Sequence, residues 1–351
     1  MDQLPRPPKP FIVPVFIPHA GCPHRCVFCN QHSTTGRADG LLSLPAIRKN
    51  INQFLAFRRD ERRWTEISFY GGNFLGLAPE QVQLLLATAA YYVRQGRADG
   101  IRFSTRPDTI DARRLSMIRA FPVTTIEIGV QSLNDEVLRR TRRGHTAEQT
   151  RRALALLKET PYRIGAQMMV GLPGDTNAAA LATARRLTDF APHFVRIYPT
   201  LVLKGSLLAS WYEQGLYEPL ALDAAVALVA ELYRIFARHE IAVVRMGLQA
   251  TDELSFQADL LAGPFHAAFG ELVQSALWQD AISRQVQQEG LHNAEVILEV
   301  HPRRLSQVKG RHDEHILALL QQHPLRSMEV RASAAVPEDA VLVNGKPCRR
   351  W

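Results

Sequence analysis

From residue 11 onward, short apolar runs alternate with longer stretches in which apolar residues return every three or four positions. The short runs predict buried strands, and the longer period predicts amphipathic helices. Strands are expected at 12–17, 66–70, 101–105, 125–129, 164–170 and 194–198. Helices are expected near 45–57, 79–94, 112–119, 146–158 and 178–190. Thr146, with Gln149 three residues on, reads as a capping box for the fourth of these helices. Strands that alternate with helices pair in parallel through right-handed crossovers. The predicted fold class is α/β, a partial (β/α)6 TIM-type barrel. Its chemistry belongs on the loops that leave the C-terminal ends of the strands.

Residues 200–250 extend the pattern with a helix at 222–239 and a strand at 241–245. The rhythm then changes. A long helical stretch at 264–289 precedes a strand at 295–300, helices at 303–308 and 313–322, and a strand at 326–332. The organisation expected is a proline-rich arm at 1–10, a barrel at 11–250, a helical connector at 251–289 and a small C-terminal α+β appendix at 290–351.

Hydrophobic residues make up 46% of the 351, enough to pack a core in a chain of this length. No run reaches the roughly 18 apolar residues of a bilayer span, and the arm lacks the apolar centre of a signal peptide. A reduced, cytoplasmic setting with no membrane partner is expected. The net charge of +8 favours polyanionic partners, RNA first among them.

The strongest chemical signal is Cys22, Cys26 and Cys29, three of the four cysteines of the chain, on the loop after the first predicted strand. Three thiolates can hold three irons of a four-iron cube that normally takes four protein ligands. The fourth iron is then open to a small molecule. A disulfide framework would need well-spread cysteines and a secretory signal. Structural zinc would need a fourth ligand, for which His19, His24 and His32 are the nearby candidates. His19 and His24 are read as ordinary polar residues of the loop, and Cys348 as a free surface thiol.

Other positions carry weaker signals. Gly71 and Gly72 end the second predicted strand, where backbone without side chains can approach a ligand closely. A side chain at Gly72 should therefore hinder that ligand and spare the cysteine loop. Asn73 follows with an amide oxygen. Arg106 can present a forked donor to a carboxylate, or pair with Asp108 or Glu127. Glu127, within an apolar strand, should point into the barrel and need a cation. Arg139, Arg140, Arg142 and Arg143 read as a solvated helix face, with phosphate binding as the alternative.

Taken in order, Cys-x3-Cys-x2-Cys, Phe69-Tyr70-Gly71-Gly72, Gly129-Val130-Gln131-Ser132 and Gly171-Leu172-Pro173-Gly174 resemble the signatures of the radical S-adenosylmethionine (SAM) superfamily. Thr105-Arg106-Pro107-Asp108 and Ile197-Tyr198-Pro199-Thr200-Leu201-Val202 look like the radical-SAM part of the Elongator catalytic subunit, which modifies wobble uridines of tRNA. The resemblance runs through about residues 11–245. It implies a [4Fe–4S] cluster on Cys22, Cys26 and Cys29, with SAM chelating the open iron. Gly71, Gly72 and Asn73 would meet the SAM amino group and Arg106 its carboxylate. Gln131 would meet a ribose hydroxyl, and the turn with Leu172 the adenine. One electron from a donor such as flavodoxin or ferredoxin would yield a 5′-deoxyadenosyl radical. That radical would abstract hydrogen from a substrate, for which tRNA or another RNA is the candidate.

Two departures stand out. The Elongator proteins space their first two cluster cysteines more widely, and they append an acetyltransferase domain of which residues 250–351 carry no signature. One alternative is a coproporphyrinogen oxidase-like enzyme, a group that commonly has another cysteine where this chain has Gln31. A second is a non-catalytic iron–sulfur RNA-binding protein. The tail around Gly310 also has the layout of a KH-type RNA-binding unit, although Asp313 takes the place of its second glycine; a structural cap on the barrel is the preferred reading.

Overall fold

The computed structural model describes residues 10–31, 33, 42–58, 64–248 and 257–351. Residues 1–9 of the arm and His32 lie outside them. Seven strands form one parallel sheet in the order β1 (Phe11–Phe16), β2 (Thr65–Tyr70), β3 (Gly100–Thr105), β4 (Val123–Gln131), β5 (Arg163–Val170), β6 (Phe194–Pro199) and β8 (Ala242–Met246). Only β7 (Val202–Leu203) leaves this series, to pair with β9 (Leu260–Ala262). The connecting helices are α1 (Leu44–Ala56), α2 (Pro79–Arg94), α3 (Ala112–Ile118), α4 (Asp135–Arg140), α5 (Ala147–Lys158), α6 (Asn177–Thr188), α7 (Leu207–Glu213) and α8 (Leu222–Arg238). The predicted capping box is present: Thr146 Oγ1 accepts from Gln149 N, and the Gln149 side chain accepts from Thr146 N.

Period-two alternation divides the sheet into two chemically different faces. Ile67, Phe69, Ile101, Phe103, Ile126 and Ile128 join one apolar core with inward residues of the helices, such as Ile47, Val82, Leu157 and Phe236. Each such side chain contributes about 1.5–3 kcal/mol by leaving water. The residues between them on the strands are polar. Glu66, Arg102, Glu127 and Arg196 form a continuous chain of ion pairs: Arg102 reaches Glu66 at 3.3 Å and Glu127 at 2.6 Å, and Arg196 reaches Glu127 at 2.8 Å. Glu127 has the cationic partners its place in an apolar strand demanded.

This network also requires the sheet to curl. Arg196 on β6 donates to the Tyr70 hydroxyl on β2 at 3.1 Å. In a flat sheet those strands would lie about 19 Å apart, four spacings of roughly 4.8 Å. The contact closes because the strands bend into a half-barrel with the charges on its concave side.

Beyond the sheet, α9 (Phe269–Gln288) packs on α8, and a second sheet follows in the order β11 (Ser327–Ala332), β10 (Glu295–Val300), β12 (Val341–Val343) and β13 (Lys346–Cys348). The helix begins at Phe269, not at residue 264, because Gly263-Pro264 holds a turn there. Strands β12 and β13 were not anticipated. Asn344 and Gly345 both have positive φ and close a two-residue hairpin, the turn that Asn-Gly favours. Cys348 faces Val341 in this hairpin and is 2% exposed, so it is no surface thiol; burial pushes its pKa up to about 11.

Between β10 and β11 lie α10 (Leu305–Lys309) and α11 (Glu314–Gln322). Here Lys309 pairs with Asp313 at 2.9 Å, and Arg303 and Arg304 both pair with Glu338. Those cations are matched by carboxylates, which weakens the KH-type reading. The Arg311 side chain lies outside the described residues. No helix among the described residues is long and apolar enough to cross a membrane.

The interior charges make a stability prediction. Glu127→Gln leaves the Arg196 guanidinium without its anion and Arg102 with Glu66 alone, and should cost about 3–5 kcal/mol in urea unfolding. Glu295→Gln, which removes an exposed partner of Arg326, should cost at most about 1 kcal/mol. Equal costs for the two variants would mean that the interior network is as solvated as the surface pair.

Candidate functional site

The cysteine loop leaves the C-terminal end of β1 and is tied to its neighbours by backbone. Ile17 N donates to Tyr70 O at 2.8 Å, His19 N to Gly71 O at 3.2 Å, and Asn73 N to Ala20 O at 2.8 Å. Further along, Val27 N donates to Thr141 O at 3.1 Å and Leu208 N to Val27 O at 2.8 Å. The loop is therefore laced to the ends of β2 and α4 and to the start of α7. His19 and Gln31 close it on themselves, through His19 N to Gln31 Oε1 and Gln31 N to His19 Nε2.

Asn73 holds the centre of this arrangement and is fully buried. Its Nδ2 donates to Gly21 O at 2.9 Å. Its Oδ1 is faced by the Thr105 and Thr109 hydroxyls at 2.8 and 2.9 Å and accepts from Arg106 N at 3.0 Å. No lone pair remains for an ammonium, so Asn73 orients the loop instead of offering its oxygen to a ligand. Gly72 also differs from expectation. A Cβ there would meet the carbonyl oxygens of Ile17, at 2.6 Å, and of Ala20. Its missing side chain makes room for the cysteine loop itself. Gly71, at φ 94°, is the glycine with open space, since a Cβ there would find nothing nearer than 3.6 Å.

The fork of Arg106 closes on Asp108, with Nε to Oδ1 at 2.9 Å and Nη2 to Oδ2 at 3.0 Å. Of the two readings of this residue, the pairing with Asp108 is the one seen. Only Nη1 is left, buried and without a partner. Gln131 ends β4 with a left-handed backbone, φ 67°, beside a bulge, and accepts from Gln167 Nε2 at 3.4 Å. Leu172 is buried in the turn after β5, whose Gly171 carbonyl accepts from Tyr217 OH at 2.6 Å. The structure thus gathers Cys22, Cys26, Cys29, Gly71, Gly72, Asn73 and Arg106 around one loop, with Gln131 adjoining. The turn with Leu172 touches Tyr217 and Leu220, and its Gly174 lies against Arg140 at the end of α4.

Two functional candidates were missed. Arg143 is not part of a solvated face: its Nη1 donates to Cys26 Sγ at 3.5 Å and its Nη2 to Gly129 O at 2.7 Å. Arg139, by contrast, stays on the surface paired with Glu136. His145 is 4% exposed, and its ring makes no well-formed hydrogen bond, the Val130 backbone offering only a marginal contact. Burial first, then the guanidinium groups of Arg143 and Arg106, hold its pKa down to about 2, so the ring is neutral. The run Arg-Arg-Gly-His contains both residues, but nothing local in it says which side chains turn inward.

The three thiols form no disulfide. Burial is the main force raising the pKa of Cys22, and it pushes that of Cys29 up to about 12 with help from the charges of Cys26 and Cys22. Among the described residues, no three His, Cys, Asp or Glu side chains are grouped to hold a metal ion. Sulfurs around one tetrahedral zinc would stand about 3.8 Å apart. A four-iron cube instead takes each cysteine on its own iron, at wider spacing. The donor set, three soft thiols with a cation at hand, fits the cube.

The glycine geometry reverses one expectation and supplies a test. Gly72→Ala should displace the cysteine loop and lower both iron uptake and thermal stability. Gly71→Ala should keep its iron while weakening SAM binding, with backbone strain of about 1–2 kcal/mol. Iron content and SAM affinity of the two reconstituted variants check this; full iron loading in Gly72→Ala would contradict it.

The Radical SAM superfamily model matches residues 16–187, and the model of the Radical_SAM C-terminal domain matches 192–279. Over 243 residues the chain is 25% identical to the tRNA uridine(34) acetyltransferase of Dehalococcoides mccartyi (strain CBDB1), covering 60% of this chain and 53% of that protein. Over 139 residues it is 34% identical to Elongator complex protein 3 of Homo sapiens, covering 38% of this chain and 25% of that protein. Protein YhcC of Escherichia coli (strain K12) is 25% identical over 230 residues, with 62% and 72% covered. The chain thus spans about half the length of the first of these curated relatives and a quarter of the second. Its fold matches the archaeal Methanocaldococcus infernus Elp3 with an N-terminal deletion at a TM-score of 0.57 and 19% identity, over 80% of this chain and 64% of that one. With the two family models running from the end of β1 into α9, the chain belongs to the radical SAM superfamily.

Proposed function

We propose that this chain holds a [4Fe–4S] cluster on Cys22, Cys26 and Cys29 and performs SAM-dependent radical chemistry on an RNA substrate. The observation that carries the reading is the set of buried polar atoms without partners on three neighbouring residues: Arg106 Nη1, Arg143 Nε and the two ring nitrogens of His145. Buried polar groups are normally satisfied, and a bound group is what these are placed to meet. When bound, the cluster and SAM supply one-electron cleavage of the sulfonium to a 5′-deoxyadenosyl radical, the electron coming from a ferredoxin or flavodoxin.

The chain's own residues do the rest. Cys22 and Cys29 are protonated before loading and must release their protons to become ligands. Gly71 leaves the backbone open for the SAM amino group, and Arg106 offers Nη1 to the carboxylate. In this reading Gln131 is assigned to a ribose hydroxyl and the turn carrying Leu172 to the adenine, as the resemblance implies. Tyr70, Arg196 and Tyr198 form a polar floor on the concave face, linked by contacts of 3.1 and 3.3 Å, on which a polar substrate can rest. The RNA assignment is supported by a relative named for tRNA uridine(34) and by the net charge of +8.

Anaerobically reconstituted protein should take up about four irons per chain and release 5′-deoxyadenosine with dithionite and SAM. Cys26→Ser should lose both properties, and Cys348→Ser neither. Total cellular tRNA should speed 5′-deoxyadenosine release. Stoichiometric zinc without iron uptake would sink the cluster reading, and an indifferent response to RNA would sink the substrate assignment alone.

A further inference from the structure

Arg143 is a buried cation with no carboxylate. It is 8% exposed, and among the described residues it makes no ion pair. Arg106, its neighbour in the site, is neutralised by Asp108. A guanidinium taken out of water without an anion is strongly disfavoured, so its position calls for negative charge close by. The group it touches is Cys26 Sγ, at 3.5 Å, and Cys26 is itself only 7% exposed.

The contact is built in from several sides. Arg143 N donates to Leu138 O at 2.9 Å, at the end of α4, and Arg143 Nη2 is held by Gly129 O at 2.7 Å. Gly129 has no side chain where one would press on that guanidinium: a Cβ would stand 2.7 Å from Nη2. The turn that carries Arg143 is fastened to the cysteine loop by Val27 N to Thr141 O, and the His24 ring packs over Gly144.

We propose that Arg143 is a positioning residue that donates a charged hydrogen bond to the Cys26 ligand and thereby raises the reduction potential of the cluster. The proposal rests on the cluster reading given above. Reduction adds negative charge to the cube and its thiolates, and hydrogen bonds to the sulfurs are among the factors that set such potentials. A donor that is also a full positive charge favours the reduced form.

The test is an EPR-monitored redox titration of reconstituted protein without SAM, so that no SAM contact contributes. Arg143→Gln should make one-electron reduction at least about tenfold less favourable, a fall of ~59 mV or more. Arg143→Lys keeps the charge but cannot reach Gly129 O and Cys26 Sγ with one fork, and should fall between the two. Arg139→Gln removes the same formal charge at the surface and should titrate as wild type. An iron-loaded Arg143→Gln protein with the wild-type midpoint overturns the proposal. If that variant does not retain its iron, an Arg143→Lys midpoint at or above wild type overturns it. Wild-type protein that takes up no iron overturns the cluster reading and this proposal together, whereas normal iron with an unshifted midpoint removes this proposal alone.

Discussion

The amide of Asn73 is the constraint on which the site depends. It is wholly buried, and it binds the cysteine loop through Gly21 O, and the end of β3 through Thr105, Thr109 and Arg106 N. A carboxylate of the same shape would have no proton to give Gly21 O; an aliphatic side chain would leave buried donors and acceptors unmatched. Glycines complete the joint. A Cβ on Gly72 would strike the loop, and one on Gly21 or Gly76 would strike Asn73 itself. Three strand ends are thereby drawn to a separation that ordinary residues would not allow, and the thiols inherit their position from that packing.

The second constraint lies on the concave face. Two carboxylates, Glu66 and Glu127, are matched there by Arg102 and Arg196, with the Thr124 and Thr125 hydroxyls on Glu66. An apolar filling would have closed a barrel of this size with side chains, as in complete (β/α)8 barrels. Here buried ion pairs occupy this face, with Glu66, Arg102 and Glu127 at most 5% exposed, while the convex face carries the apolar core shared with the helices. The same strands therefore serve two ends: stability comes from the helix side, and a polar surface is presented beside the cysteine loop.

Much of this was legible along the chain, and the rest was not, for reasons that can be named. Alternating runs located the six predicted strands and the capping box at Thr146, because strand period and cap chemistry are properties of a few consecutive residues. The hairpin at Asn344-Gly345 was equally local and its turn signal stood in the sequence unread. The spacing of Cys22, Cys26 and Cys29 likewise pointed, within one loop, to the superfamily to which the chain belongs.

What the sequence by itself determined, then, is the order of elements in the barrel, the parallel sheet and the gathering of three cysteines on the loop after its first strand, since each rests on neighbours along the chain. Only the tertiary structure decided which arginine of a dense run turns inward, because Arg143 and Cys26 are separated by 117 residues and meet only when β1 and β4 take their places in the curled sheet. The same holds for Gly72, whose neighbour is the cysteine loop, and for Asn73, whose partners come from two other segments. Periodicity records which face of an element is buried; it carries no record of what that face will touch.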